Sequence, residues 1–343
     1  MTELPRVAVI TLGGTIASAA DEGGAAIVRI SGADLLARIP QARQVASLEV
    51  RQVTMVPSGD LTLADLFAVR KLAAAAIDEG CDGIVVTQGT DTLEETSYAM
   101  ELLTAWDEPI VFTGAMRNSS IPGSDGPANL LAAIRVAASK QAHGLGSVVV
   151  FNDEIHSSRL VRKGHTSSTA TFGSPGAGPL GHVIEDRVRI TMRPTGRLHV
   201  RVRDDAPEAR VAQVSMAFDD DARLIREIPG LGYAGLILAA FGGGHVPSPV
   251  VPALEGVAAQ IPVILASRTN SGECLQKTYG YPGSEVDLLN RGLVPAASLD
   301  AAHAAVLLRL LLMAGVDRSS LRGWFETASV PDGLAVVPET ATD

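Results

Sequence analysis

Hydroxyl-bearing residues gather where the short apolar runs of this chain end. Arg6 to Leu12 (RVAVITL) runs into Gly13, Gly14 and Thr15, and Glu49 to Val56 runs into Pro57, Ser58, Gly59 and Asp60. Gly83 to Thr87 (GIVVT) leads into Gln88, Gly89, Thr90, Asp91 and Thr92, and Pro109 to Thr113 into Gly114, Ala115, Met116 and Arg117. Hydroxyls, a carboxylate and flexible glycine backbone are the parts that a nucleophile, its helpers and main-chain oxyanion donors require. Each piece has a plainer reading beside it. Gly13-Gly14 serves a tight turn equally well, and Thr90-Asp91 can be turn residues ahead of a helix. Gly-x-Gly-x-x-Gly is missing at the first turn, and Gly-x-x-x-x-Gly-Lys-Ser/Thr and Gly-x-Ser-x-Gly are missing too. A dinucleotide fingerprint, a P-loop and a nucleophile elbow are therefore not expected. His-Glu-x-x-His is absent, the seven His are scattered, and Cys81 and Cys274 lie far apart outside any metal spacing. We expect no metal and no organic cofactor, and two isolated thiols.

Those turns need elements to hold them. The apolar, β-branched runs read as buried strands, with Ser147–Phe151 as another. Between them lie helix patterns. Thr62 opens one with Asp65 as capping-box partner, and Gly80 closes it. Thr92 and Glu95 read as the cap of the next, whose apolar face carries Leu93, Tyr98, Ala99 and Leu102. A further helix spans Gly126–Lys140. This alternation implies a mostly parallel sheet with helices on both faces, and ligands of such sheets bind beyond the carboxyl ends of the strands. From about Thr191 to Ala209 the pattern breaks into an Arg-, Pro- and Asp-rich connection with one expected strand at Leu198–Val202. A second alternation follows, with strands at Val211–Met216, Gly235–Ala239 and Pro262–Ala266 and helices near Asp221–Glu227, Asp300–Ala314 and Arg318–Glu326. The expected fold is α/β: a larger N-terminal domain (1–190) with a mostly parallel, doubly wound sheet, a linker (191–209), and a smaller C-terminal α/β domain (210–343).

Bulk composition agrees with a large globular chain. Of 343 residues 46% are hydrophobic, 19% charged and 4% aromatic, which excludes disordered, collagen-like and disulfide mini-protein classes. The net charge of −10, without a Lys/Arg block, argues against nucleic acid and anionic membranes as partners. The longest apolar run, Tyr233 to Ala240, is far short of the roughly 18 residues that span a bilayer. The start, Met-Thr-Glu-Leu-Pro-Arg, lacks a signal peptide's apolar core, so a cytoplasmic location is expected.

The residues resemble a family. Leu12-Gly-Gly-Thr-Ile-Ala17 and Gln88-Gly-Thr-Asp-Thr-Leu-Glu-Glu95 look like the two signature motifs of the bacterial-type L-asparaginases. Gly114-Ala-Met-Arg117, Ser124-Asp-Gly-Pro127, Lys163 in Val161-Arg-Lys-Gly-His-Thr with Ala170-Thr-Phe following, and Ser267-Arg continue the match over essentially the whole chain. The resemblance implies hydrolysis of the side-chain amide of L-asparagine to aspartate and ammonia through an acyl-enzyme. It makes Thr15 the nucleophile under a loop, with Thr90, Asp91 and Lys163 as a second hydroxyl–base constellation. The residue chemistry agrees, because a Thr hydroxyl needs a base in reach and a Lys with a lowered pKa can be one. Lys71, Lys140, Lys163 and Lys277 are the only lysines among 28 basic residues, so a Lys at the motif position is less readily a casual surface charge.

By the same resemblance Ser58, followed by Gly59, holds the substrate α-carboxylate, Asp91 also pairs with the α-ammonium, and the Ala115 carbonyl accepts from the scissile amide. A neighbouring subunit completes each site through His245 and Glu285, in a homotetramer built as a dimer of intimate dimers. Three departures stand out. The loop Ser18–Ser31 carries no Tyr, where the family has one bonded to the nucleophile; Gly59 stands where Gln or Glu is usual; and His245 stands where Asn is usual. Tyr279 and Tyr281, just before Glu285, are candidates to supply the missing phenol, with interface packing as the plainer reading and a turn role as the plainer reading of His245. A glutaminase-asparaginase of broader ω-amide specificity remains open, because one CH₂ discriminates by only about 1–3 kcal/mol. So does a catalytically weak amino-acid-binding sensor.

Overall fold

A computed structural model describes residues 3–20, 23, 26–269 and 271–329. The chain divides into two compact units, Met1–Pro194 and Thr195–Asp343. The first unit contains strands β1 (Arg6–Gly13), β2 (Ser18–Ala20), β3 (Ala26–Val28), β4 (Ser47–Val56), β5 (Gly83–Thr87), β6 (Ile110–Thr113), β7 (Ser147–Phe151), β8 (Glu154–Ser157), β9 (Arg162–Lys163), β10 (Phe172–Gly173), β11 (Gly181–Ile184) and β12 (Arg187–Ile190). Its helices are α1 (Gly32–Ala37), α2 (Leu63–Asp78), α3 (Leu93–Leu103) and α4 (Gly126–Ala137).

The main sheet has the order β12-β11-β8-β7-β6-β5-β1-β4. The run from β4 to β7 is parallel, and β8, β11 and β12 extend it antiparallel. Alternation along the strands sends Val7, Val9, Val85, Val111, Val148 and Val150 into a core with Leu35 of α1 and Leu130, Ala133 and Ile134 of α4. Helices α2 and α3 lie against the same strands but contribute nothing to that core, so they cover the other face. The chain leaves β1 toward β4, then crosses back to β5 on the other side of β1. Strand order therefore reverses between β1 and β5, and a crevice opens beyond their carboxyl ends.

Local signals explain most element boundaries. Thr62 and Asp65 exchange both bonds of a capping box, and Gly80 at φ +90° ends α2. Two expectations fail. Helix α4 stops at Ala137, with Lys140 in a separate 3-10 turn. Leu198–Val202 is not a strand, although Val200 and Val202 are buried: the run has inward-facing apolar residues but no ladder partner. The hairpin β2–β3 and the antiparallel extension after β7 went unread, because two- to four-residue strands carry too little periodicity.

In the second unit β13 (Val211–Ser215), β14 (Gly235–Ala240), β15 (Val263–Ser267) and β16 (Val294–Pro295) form a parallel sheet in that order. Helices α5 (Arg223–Glu227), α6 (Val251–Ala258), α7 (Glu285–Asn290), α8 (Ala301–Met313) and α9 (Leu321–Ser329) accompany it. Helix α8 lies on β13, β14 and β15. The whole chain is thus α/β, with the larger sheet first. Among the described residues no helix is long and apolar enough to cross a membrane.

Candidate active site

Three turns stack at the crevice, and glycine is what lets them. Gly14 has φ +81°, and a Cβ there would lie 2.0 Å from the Gly89 nitrogen. A Cβ on Gly89 would meet the Ser58 hydroxyl at 2.7 Å, and one on Gly114 the Gln88 carbonyl at 2.6 Å. The turns after β1, β4, β5 and β6 therefore touch backbone to backbone, and Thr15, Ser58, Thr90, Asp91 and Ala115 are carried to one place.

Hydrogen bonds fix the side chains there. The Ser58 hydroxyl accepts from the Asp91 amide at 3.1 Å, and the Thr92 hydroxyl donates to the Ser58 carbonyl at 3.0 Å. This corrects the expected cap: Thr92 precedes α3 but makes no capping bond, its hydroxyl tying the Ser58 turn to the Thr90 turn instead. Gln88 is buried and accepts from the Thr96 hydroxyl at 2.9 Å, which anchors the turn from behind. The turn after β6 is held by Asp125, which accepts from the amides of Met116 and Arg117, and by Asn129, which donates to the Gly114 carbonyl at 3.1 Å.

Lys163 reaches this place from the β9–β10 hairpin, where it pairs with Phe172. Its Nζ donates to the Thr90 hydroxyl at 2.9 Å and to Asp91 Oδ1 at 2.6 Å. Its own amide is held by the Glu94 carboxylate on α3. Glu94 is a positioning residue that the sequence reading missed; its place one turn after Thr90-Asp91 was the available signal. The Lys163 side chain is 17% exposed and that of Asp91 77%. An open depression lined by Asp91, Lys163, Gly164, His165 and Thr166 lies over the pair. Next to Glu94, burial and the Glu94 charge push the Glu95 carboxyl up to about 7.

Thr15 begins a 3-10 turn directly after Gly14 and is partly exposed. Among the described residues no hydrogen bond reaches its hydroxyl. Gly59 is exposed, and a Cβ there would meet nothing within 4 Å. Ala115 is fully buried.

The remaining candidates form a cluster of their own in the second unit. The turn after β14 folds back so that Phe241 and His245 exchange backbone bonds, and the Val246 amide donates to the Gly283 carbonyl at 2.9 Å. Gly283, at φ +88°, would drive a Cβ into the Val246 carbonyl at 2.4 Å, so the two turns meet closely. Ser284 caps α7, whose first residue is Glu285. Glu285 is fully buried: Oε1 accepts from the amides of Thr278 and Tyr279 at 2.8 and 2.7 Å, and Oε2 faces His245 Nε2 at 3.0 Å. Burial pushes this carboxyl up, but the backbone donors from Tyr279 and Thr278 and the His245 bond outweigh it and hold it below the usual carboxylate range. Tyr281 Oη lies 3.2 Å from His245 Nδ1. The rings of Tyr279 and Tyr281 meet His245 edge-on at 5.1 and 5.6 Å.

An α/β chain with these turns at a topological switch point, completed by a Lys–Thr–Asp cluster, belongs to the asparaginase family of hydrolases. Residues 6–196 match the family described as Asparaginase, N-terminal, and residues 210–325 match the Glutaminase/Asparaginase C-terminal domain. Among relatives, an L-asparaginase of Bacillus licheniformis is 33% identical over 312 residues, covering 90% of this chain and 95% of that one. A glutaminase-asparaginase of Pseudomonas fluorescens biotype A is 32% identical over 336 residues, covering 94% and 91%. A crystal structure of a probable cytoplasmic L-asparaginase from Campylobacter jejuni superposes with a TM-score of 0.85 at 28% identity, covering 94% of this chain and 99% of that one.

Proposed function

We propose that this chain is an L-asparaginase, hydrolysing the side-chain amide of L-asparagine to L-aspartate and ammonia through a threonine acyl-enzyme. The observation that carries the reading is the contact of Lys163 Nζ with both Thr90 and Asp91, 2.9 and 2.6 Å away, at the crevice where Thr15 also emerges. The Thr15 hydroxyl attacks the amide carbon, the C–N bond breaks and ammonia leaves. A water held by Thr90 then attacks the ester, its proton passing through the Thr90 hydroxyl toward Lys163. Asp91 balances the charge of Lys163 and, being largely exposed, also receives the substrate α-ammonium.

Substrate binding follows from the same turns. The Ser58 hydroxyl uses a lone pair on the Asp91 amide and keeps its proton to donate to the α-carboxylate. Gly59 adds exposed backbone, and the Ala115 carbonyl accepts from the scissile amide. We further propose a cytoplasmic homotetramer, a dimer of intimate dimers, in which His245 and Glu285 belong to the site of a neighbouring copy. Glutamine is the second reading, favoured by the relative named glutaminase-asparaginase. Ammonia release from asparagine and glutamine at matched concentrations tests both. The expected result is a higher kcat/KM for asparagine. Release from neither at micromolar enzyme contradicts the proposal and leaves the amino-acid-binding sensor.

A further inference from the structure

The cluster around Glu285 is built inside out for direct substrate contact. Both oxygens of Glu285 are occupied within its own unit, and no part of the residue is exposed. Both ring nitrogens of His245 are occupied too, one by Glu285 and one by Tyr281. What faces outward is phenol: Tyr281 is 48% exposed and Tyr279 45%.

The proton positions along this chain of groups can be assigned. Glu285 is ionised and accepts only, so His245 Nε2 must carry the proton between them. In the neutral ring Nδ1 is then an acceptor, and the Tyr281 hydroxyl is the donor across 3.2 Å. A buried carboxylate, an imidazole oriented by it and an outward hydroxyl are the parts of a proton relay. The same logic activates the serine of a Ser-His-Asp triad. A distance at the long end of the range is expected before substrate tightens it.

In the first unit, no base among the described residues contacts the Thr15 hydroxyl, and Lys163 is committed to Thr90 and Asp91. Resting on the function proposed above, we propose that Tyr281 is a catalytic residue, the proton acceptor for Thr15 of a second copy. Glu285 and His245 are the positioning residues behind it. As Thr15 Oγ1 bonds to the amide carbon, its proton passes to Tyr281 Oη, and the phenolic proton passes to His245 Nδ1. The imidazolium so formed faces the Glu285 carboxylate. When the C–N bond breaks, the proton returns through Tyr281 to the leaving nitrogen, which departs as ammonia. The relay is then neutral again, and an ester on Thr15 remains.

Steady-state rates with asparagine test the assignment. Tyr281→Phe deletes the phenolic oxygen and keeps the ring, and is expected to lower kcat by at least about 30-fold while KM moves by less than about 3-fold. Tyr279→Phe, whose hydroxyl lies outside the relay, is expected to lose less. The reverse order, or a fully active Tyr281→Phe, overturns the proposal. A purely structural cluster would not shape the pH profile. The relay does, because a second proton on His245 removes the acceptor at Nδ1. The groups facing that ring are Glu285 from α7 and Tyr279 and Tyr281 from the preceding turn, while Asp287 is turned to the Gly283 amide and Arg291. The acid side of the wild-type kcat profile is expected to flatten in His245→Gln; an unaltered acid limb counts against the relay.

Mixing Thr15→Ala and Tyr281→Phe chains under subunit exchange is expected to restore part of the rate, since one hybrid site then carries both native residues. Hybrids shown to have formed but no more active than either parent overturn delivery in trans. An inactive wild type overturns this proposal together with the function it rests on. An active wild type with inactive Thr15→Ala and fully active Tyr281→Phe overturns the relay alone.

Discussion

The chemistry at the crevice rests on one ammonium with two partners. Asp91 is largely exposed, so its pair with Lys163 adds only about 0–1 kcal/mol to stability, and its geometry matters more than its energy. An Arg in place of Lys163 keeps the charge but does not take part in proton transfer. Lys163→Arg and Lys163→Met are therefore both expected to lose at least about 100-fold in kcat with the fold retained, as read by ammonia release and circular dichroism. A fully active Arg variant would reduce Lys163 to an electrostatic anchor. Glu95 offers a prediction of opposite sense. Its carboxyl is raised to about 7 by burial and by the Glu94 charge, so the folded state prefers it protonated. The unfolded chain ionises it near the usual value, so the destabilisation grows as pH rises from there to about 7 and is constant above. Glu95→Gln removes the ionisation and is expected to raise Tm relative to wild type at pH 8. The gain should shrink toward zero near pH 4; an equal gain at both values contradicts the assignment.

At the scale of elements, the turns rather than the helices hold the site. Gly14→Ala puts a Cβ 2.0 Å from the Gly89 nitrogen on a left-handed backbone, so the β1 and β5 turns must part. We expect a loss of at least about 3 kcal/mol in denaturant unfolding. Gly59→Ala meets nothing within 4 Å and should change stability by less than about 0.5 kcal/mol. Equal costs at the two sites would remove the close approach of the turns as the reason for Gly14. Much of this was legible in the sequence. Apolar runs ending in Gly, Ser, Thr and Asp marked β1, β4, β5 and β6 to within a few residues, and with them the site edge. What was not legible depended on distant partners. Thr92 looks like a cap until the Ser58 carbonyl is seen beside it, and Glu94 looks like first-turn helix charge until Lys163 arrives from a hairpin of two-residue strands. The closure of Glu285 on His245 joins two turns 40 residues apart, and no local pattern announces it.

Across the whole molecule, the two units carry different halves of the proposed chemistry. The first assembles Thr15, Ser58, Thr90, Asp91 and Lys163 around a topological switch point. The second assembles a buried carboxylate, an imidazole and an outward phenol. If copies complete one another's sites, activity depends on assembly: dilution is expected to abolish turnover, followed by light scattering, before far-UV circular dichroism changes. Activity persisting in a proven monomer contradicts that arrangement.

The central claim is that Thr15 is the group that attacks the amide. It is tested most directly by ammonia release from L-asparagine, measured side by side on wild-type protein and on Thr15→Ala shown to be folded and identically assembled. The account predicts ammonia and aspartate in equal amounts from the wild type, and a rate lower by at least about 100-fold from the variant. Equal turnover by the two proteins would contradict it.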